Sequence, residues 1–197
     1  MTVKIECVAP TRSQIGEGAV WDDRAQVLWW VDIPAGYIHR YAPTSGENET
    51  FEFGEPVGCL AVREAGGPVL AAMSGFWFYD PETGTPSEPI VFFDTHAVPG
   101  RPDGGTVDAE GCYWQAGIDG WQLYRISPAG EVVQTVDMPI ERPSKPTFGG
   151  ENLDILFVTS LGLGLAPGTE GRQPEAGSLF ALSGLGIKGM PQARFGG

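Results

Sequence analysis

Apolar and polar residues alternate through Thr2-Val3-Lys4-Ile5-Glu6-Cys7-Val8, the period-two pattern of a strand with one buried face. The pattern then returns along the chain in brief apolar runs, closed by Gly, Pro, Asn or Asp. No stretch keeps the 3.6-residue period of an amphipathic helix. Strands are therefore expected at 19–21, 27–32, 37–41 and 49–53, and again at 59–63, 68–72, 75–79 and 90–93. A third group falls at 105–108, 112–117, 121–126 and 132–138. The last, at 147–148, 155–159 and 178–182, is interrupted by a Gly-rich insertion over 161–177. Past Gly184 the pattern becomes irregular, and Gly196-Gly197 is expected to fray.

Each group opens on one recurring phrase. Glu17-Gly18-Ala19-Val20-Trp21-Asp22-Asp23 leads through a turn to Val27-Leu28-Trp29-Trp30-Val31. Val57-Gly58-Cys59-Leu60-Ala61-Val62 leads through Gly66-Gly67 to Val69-Leu70-Ala71-Ala72. Asp103-Gly104-Gly105-Thr106-Val107-Asp108 leads through Ala109-Glu110-Gly111 to Cys112-Tyr113-Trp114. Ser144-Lys145-Pro146-Thr147-Phe148 leads through Gly149-Gly150 to Ile155-Leu156-Phe157-Val158-Thr159. A period of about 40 to 45 residues belongs to blades or solenoid coils. Four short strands per repeat without helices point to an all-β fold, a four-bladed β-propeller. A flat sandwich would not explain the shared opening. The chain reads as a single domain over 1–197, with repeats 16–53, 56–93, 101–138 and 142–195. Strand 2–8 has no repeat of its own; it either closes the last blade or adds an extra edge strand.

Composition narrows the partners. The 197 residues carry a formal charge of −13, with no basic stripe to neutralise phosphates, which excludes nucleic acid and disfavours an anionic membrane. A neutral ligand or a cation fits better. No apolar run is long enough to span a bilayer, and the first residues lack a signal-peptide core, so a cytoplasmic location is expected. The three cysteines, Cys7, Cys59 and Cys112, have no CxxC spacing and read as reduced, Cys59 and Cys112 as core.

In a propeller the first strand of each blade lines the central channel. Aligning the repeats on their turns puts Glu17, Val57, Asp103 and Ser144 at equivalent places. Two carboxylates aimed into one channel repel unless a cation or a shared proton lies between them. Capping of neighbouring backbone amides is the alternative role for both acids. Two histidines exclude a His-rich metal site; His39 reads as a strand-surface residue and His96 as a loop residue. No nucleophile elbow is present, and Gly162-Leu163-Gly164 precedes no helix. Asp22, Asp23, Asp108 and Glu110 read as solvated turn carboxylates. Most tryptophans read as packing between blades, with Trp114 or Trp121 as candidates to line the channel mouth.

Three segments together are similar to the SMP-30/gluconolactonase/LRE (regucalcin-like) family. They are Gly16-Glu17-Gly18-Ala19-Val20-Trp21, Arg101-Pro102-Asp103-Gly104 with Val107 to Trp114, and Arg142-Pro143 through Phe148-Gly149-Gly150 to Phe157-Val158-Thr159-Ser160. The resemblance implies a propeller, six-bladed in the family, that holds one divalent metal ion in its channel and hydrolyses a small neutral sugar lactone. It does not choose among Ca, Zn, Mn, Mg and Fe. It implies Glu17 and Asp103 as metal ligands, with Asp103 also the general base. Family members carry Arg-x-Asn-Asp-Gly and Ser-Asn-Gly segments that supply an Asn ligand and a substrate-binding Arg and Asn. Neither is present: Phe78-Tyr79-Asp80-Pro81 passes to Val91-Phe92-Phe93-Asp94, as though two internal blades were missing. A ring of four, or a homodimer that completes a larger ring, would follow. The functional alternative is a non-catalytic scaffold or a weak metal-binding remnant.

Overall fold

A computed structural model describes residues 2–62, 68–72, 93 and 95–196. The strands are β1 (Lys4–Ala9), β2 (Gly16–Asp22), β3 (Val27–Asp32), β4 (Tyr37–Ala42), β5 (Glu47–Glu52), β6 (Val57–Val62) and β7 (Pro68–Ala72). They continue as β8 (Arg101–Val107), β9 (Tyr113–Ile118), β10 (Gln122–Ile126), β11 (Val132–Asp137), β12 (Pro143–Gly149), β13 (Ile155–Ser160) and β14 (Leu179–Ser183). The expected strand over 75–79 and most of that over 90–93 lie outside the described residues. Two single 3-10 turns, Thr95–Ala97 and Glu170–Arg172, are the helical content of the described residues. None of their helices is long and apolar enough to cross a membrane.

Three antiparallel four-stranded sheets form, ordered β2-β3-β4-β5, β8-β9-β10-β11 and β12-β13-β14-β1, with the pair β6-β7 beside them. The first strands stand side by side: β12 packs against both β2 and β8, and β2 against β6. This radial stacking of sheets about their innermost strands is a β-propeller. The leading strand β1 pairs with β14, Lys4 opposite Ser183, so the last sheet is built from both ends of the chain. That pairing leaves neither strand as an open edge toward the other.

The first strands begin two to four residues earlier than the hydrophobic pattern suggests, and one feature explains this. Each carries a β-bulge near its start. Pairing slips between Glu17 and Val20 in β2, Val57 and Cys59 in β6, Pro102 and Gly105 in β8, and Pro143 and Pro146 in β12. An inserted residue interrupts period two and turns side chains to the other face, which hides the start of the strand.

The core lies between sheets. Trp114, Leu123, Phe148, Leu156 and Phe180 fill the space between the β8 and β12 sheets. Trp21, Trp30, Tyr41, Phe157 and Leu179 fill that between the β2 and β12 sheets. Val20, Val31, Val57 and Leu60 join the β2 sheet to β6. The tail beyond β14 is irregular but anchored. Lys188 O accepts Ala109 N (2.8 Å), Gly189 N donates to Leu153 O (2.8 Å), and Gln192 Nε2 donates to Thr147 Oγ1 (2.6 Å). Arg194 reaches Asp22 (2.7 Å), and Phe195 N donates to Val62 O (2.8 Å).

Candidate functional site

The bulges decide which side chains reach the inner ends of the first strands. In β8 the residues between the paired positions Pro102 and Gly105 are Asp103 and Gly104; in β12 they are Ser144 and Lys145. Glu17 and Val57 are the last paired residues before their bulges, one place ahead of Asp103 and Ser144 in the ladder. The expected four-fold equivalence is therefore off by one residue for these two. Val57 accordingly turns inward: it is fully buried in the apolar core rather than facing the channel. Glu17 stands at the same ladder place yet meets Asp103, and Gly18 after it adopts φ +64, a left-handed conformation that glycine takes without strain.

Glu17 and Asp103 are brought together. Their carboxyl groups interact directly, and both sit above the usual carboxylate range. Burial pushes Glu17 up to about 7; the Gly18 amide opposes this, and the charge of Asp103 adds to it. Burial also raises Asp103, while the hydrogen bond with Glu17 works the other way. Gly18 N donates to Glu17 Oε2 (2.9 Å), whereas Glu17 Oε1 is buried without a hydrogen-bond partner. One oxygen thus caps an amide and the other is left over, so capping accounts for half of this carboxylate.

Ser144 is fully buried: Oγ donates to Gly16 O (2.5 Å) and lies 3.0 Å from Thr159 Oγ1. It braces β12 against β2, and its contact with Glu17 works against the burial that raises that acid. The next residue, Lys145, is a site residue that hydrophobic patterning does not reveal. Its Nζ donates to Gly105 O and its charge faces Glu17. Burial lowers its affinity for a proton and Glu17 partly restores it. Arg101, beside Asp103 in sequence, is drawn off to Asp119 (2.7 Å).

The tryptophans divide. Trp114 is fully buried, edge-on to Phe148 at 6.2 Å, with Nε1 donating to Asp108 Oδ2 (3.0 Å), so it belongs to the core and not to a channel mouth. Trp121 is half-buried at the turn between β9 and β10, at the same end of its sheet as Asp103. Three further expectations are corrected. Asp22 and Asp108 are buried turn organisers, not solvated acids. His39 is 3% exposed, stacked on Trp30 at 4.8 Å, with Nδ1 2.9 Å from Thr50 Oγ1. Cys59 is exposed rather than core, and the space above Gly18 opens onto its Cα and Cβ. Among the described residues, no third His, Cys, Asp or Glu joins Glu17 and Asp103 in a metal-holding group.

The sequence profile of the SMP-30/Gluconolactonase/LRE-like region matches residues 15–88 and 76–162, most of the chain. The chain belongs to that family. Its first and third repeats carry the matching first strands, and the two matched pieces meet in 76–88, where the sequence passes toward the third repeat. Among curated relatives, 6-deoxy-6-sulfogluconolactonase of Pseudomonas putida is 25% identical over 292 positions, spanning 100% of both chains. Regucalcin of Danio rerio is 24% identical over 293 positions, spanning 100% of this chain and 99% of the relative. With 197 residues here against 292 aligned positions, 95 positions of that alignment (292 less 197) have no residue in this chain. Relatives are thus matched end to end around missing internal segments. The solved structure of the calcium-binding protein regucalcin from Agrobacterium tumefaciens superposes with a TM-score of 0.80 at 17% identity, covering 96% of each chain. At that identity the likeness speaks for the fold.

Proposed function

We propose that this family member is a metal-dependent hydrolase that opens sugar lactones, with Glu17 and Asp103 at its centre. The observation that carries the reading is the crowded pair: Glu17 Oε1 is buried with no N–H donor on it, and a second carboxyl group lies beside it. An oxygen-bound divalent cation fits that donor set, since it supplies the positive charge that two crowded carboxylates lack. Glu17 and Asp103 would hold it, and when bound it would supply Lewis-acid polarisation of the lactone carbonyl.

The chain's own residues account for the rest. Asp103 remains open to solvent and is placed to take a proton from an attacking water at its carboxylate oxygen. The water oxygen bonds to the carbonyl carbon, the ring C–O bond breaks, and the ring oxygen leaves as a hydroxyl by taking the proton that Asp103 had accepted. The product is an acid, and a chain with a formal charge of −13 repels it. The name of one relative, a 6-deoxy-6-sulfogluconolactonase, supports the substrate class, and the solved regucalcin, a calcium-binding protein, supports the cation. The domain is taken as one ring of four blades over repeats 16–53, 56–93, 101–138 and 142–195, with β1 closing the last.

A second reading, a weak cation-binding remnant without turnover, is favoured by one observation: the described residues offer two carboxylates and no third ligand of that kind. Gluconolactone hydrolysis measured with and without a chelator separates the two. The hydrolase reading expects divalent-dependent turnover that falls at least about 100-fold in Glu17→Gln and in Asp103→Asn. Folded, metal-supplied protein with no turnover would leave only the remnant.

A further inference from the structure

We propose that Lys145 is the resident counter-ion of the Glu17–Asp103 pair, and that a divalent cation binds there only in competition with its ammonium group. This rests on reading the pair as a cation site. The β12 bulge sets Lys145 at the inner end of its sheet, one residue past the buried Ser144. Its stem lies across β8: a Cβ on Gly104 would come 2.7 Å from Lys145 Cδ and 3.1 Å from its Cα. The absence of a side chain at Gly104 therefore gives the lysine its path past Asp103. At the end of that path Nζ donates to Gly105 O, and its charge attracts Glu17.

Nearby guanidinium groups are otherwise engaged. Arg101 and Arg142 both lie on Asp119, at 2.7 and 2.6 Å, and Arg125 lies on Asp108 at 2.7 Å. The ammonium of Lys145 is held to the strand of Asp103, at the Gly105 carbonyl. Such an arrangement has two consequences. It offsets the repulsion of the two acids when no metal is present. It also leaves a positive charge at Gly105 O, two residues from Asp103, and its repulsion weakens the binding of any metal the acids would hold, by roughly tenfold even under water-like screening.

Calorimetric titration of Ca2+ and of Mn2+ into wild-type protein, Lys145→Met, Glu17→Gln and Lys4→Met tests this. Lys4 is exposed and paired with Glu6, so its substitution changes net charge equally but remotely. Lys145→Met is expected to bind at least one of the ions about tenfold more tightly than wild type, and Lys4→Met within about twofold of it. Glu17→Gln added to Lys145→Met should remove the gain. Thermal melts serve as the fold check, and the added metal should raise the melting temperature of Lys145→Met more than that of wild type. Wild-type binding that is unchanged or weaker in Lys145→Met would overturn the role of the lysine alone. No binding by either folded protein would overturn the cation site, and with it both readings.

Discussion

β2 carries two acids five residues apart, β8 and the turn just after it carry two more at the same spacing, and the two ends of these segments treat them in opposite ways. At the outer end Asp22 and Asp108 are buried and fully employed. Asp108 Oδ1 accepts the amides of Glu110 (2.9 Å) and Cys112 (3.0 Å), and Oδ2 accepts Trp114 Nε1 (3.0 Å) and Arg125 Nε (2.7 Å). Asp22 Oδ1 accepts the amides of Arg24 and Ala25 (3.1 Å each) and the Arg194 guanidinium (2.7 Å). Burial alone would raise both acids, yet those donors hold them below the usual carboxylate range. At the inner end burial outweighs the Gly18 amide at Glu17, and the Glu17 contact, the Gly104 amide and the Arg101 charge at Asp103, so both are raised. Residue type is the same; what differs is whether the fold supplies enough donors. An acid the fold has satisfied is structural, and an acid it has left short is available for binding.

Removing the satisfied acid should cost most. Asp108→Ala strands a half-buried arginine, a buried indole N–H and two turn amides, and is expected to lower unfolding stability by about 3–5 kcal/mol in urea titration. Asp22→Ala, with an exposed neighbour Asp23 to share Arg194, should cost less, about 1–3 kcal/mol. Equal losses would blur the contrast between the two turns. Next comes a buried group with neither kind of compensation. Burial lowers His39 to about 4, below its unfolded value, so the native state keeps it neutral. Its contribution is complete above pH 6.5 and drains away as pH falls toward 4, a loss of the order of 2 kcal/mol that Phe at this position should abolish. Smallest is the effect of the inner pair. In chelator at pH 8, Glu17→Gln should stabilise the protein by about 1 kcal/mol or less, because it relieves a charge that burial and Asp103 disfavour. A clear loss of stability would place Glu17 with the structural acids.

Much of the fold was legible because a propeller repeats itself: the Glu-Gly and Asp-Gly strand openings and the apolar second strands name the blades. The pairing of acids from the first and third repeats was legible for the same reason. The bulges were not. Asp103 stands inside a bulge while Val57 is paired just before one, so the two, aligned by eye, differ by a place in the ladder and Val57 lies in the core instead. Lys145 was hidden likewise, since its position inside a bulge gives it a direction that alternation cannot predict. Burial of Asp22 and Asp108 depends on Arg194 and Arg125, partners separated from them by 172 and 17 residues. Local turn chemistry cannot anticipate partners that distant.

The last residues of the chain bond in turn to the β8, β12, β2 and β6 sheets, and the first strand waits for β14. During synthesis, then, β1 emerges long before its mate β14 exists, and the strap over 188–195 follows every sheet it ties down. Individual sheets can form as they emerge, but the assembly locks only once that strap is in place. A protein tied off this way should be more sensitive to loss of residues 188–195 than their small number suggests.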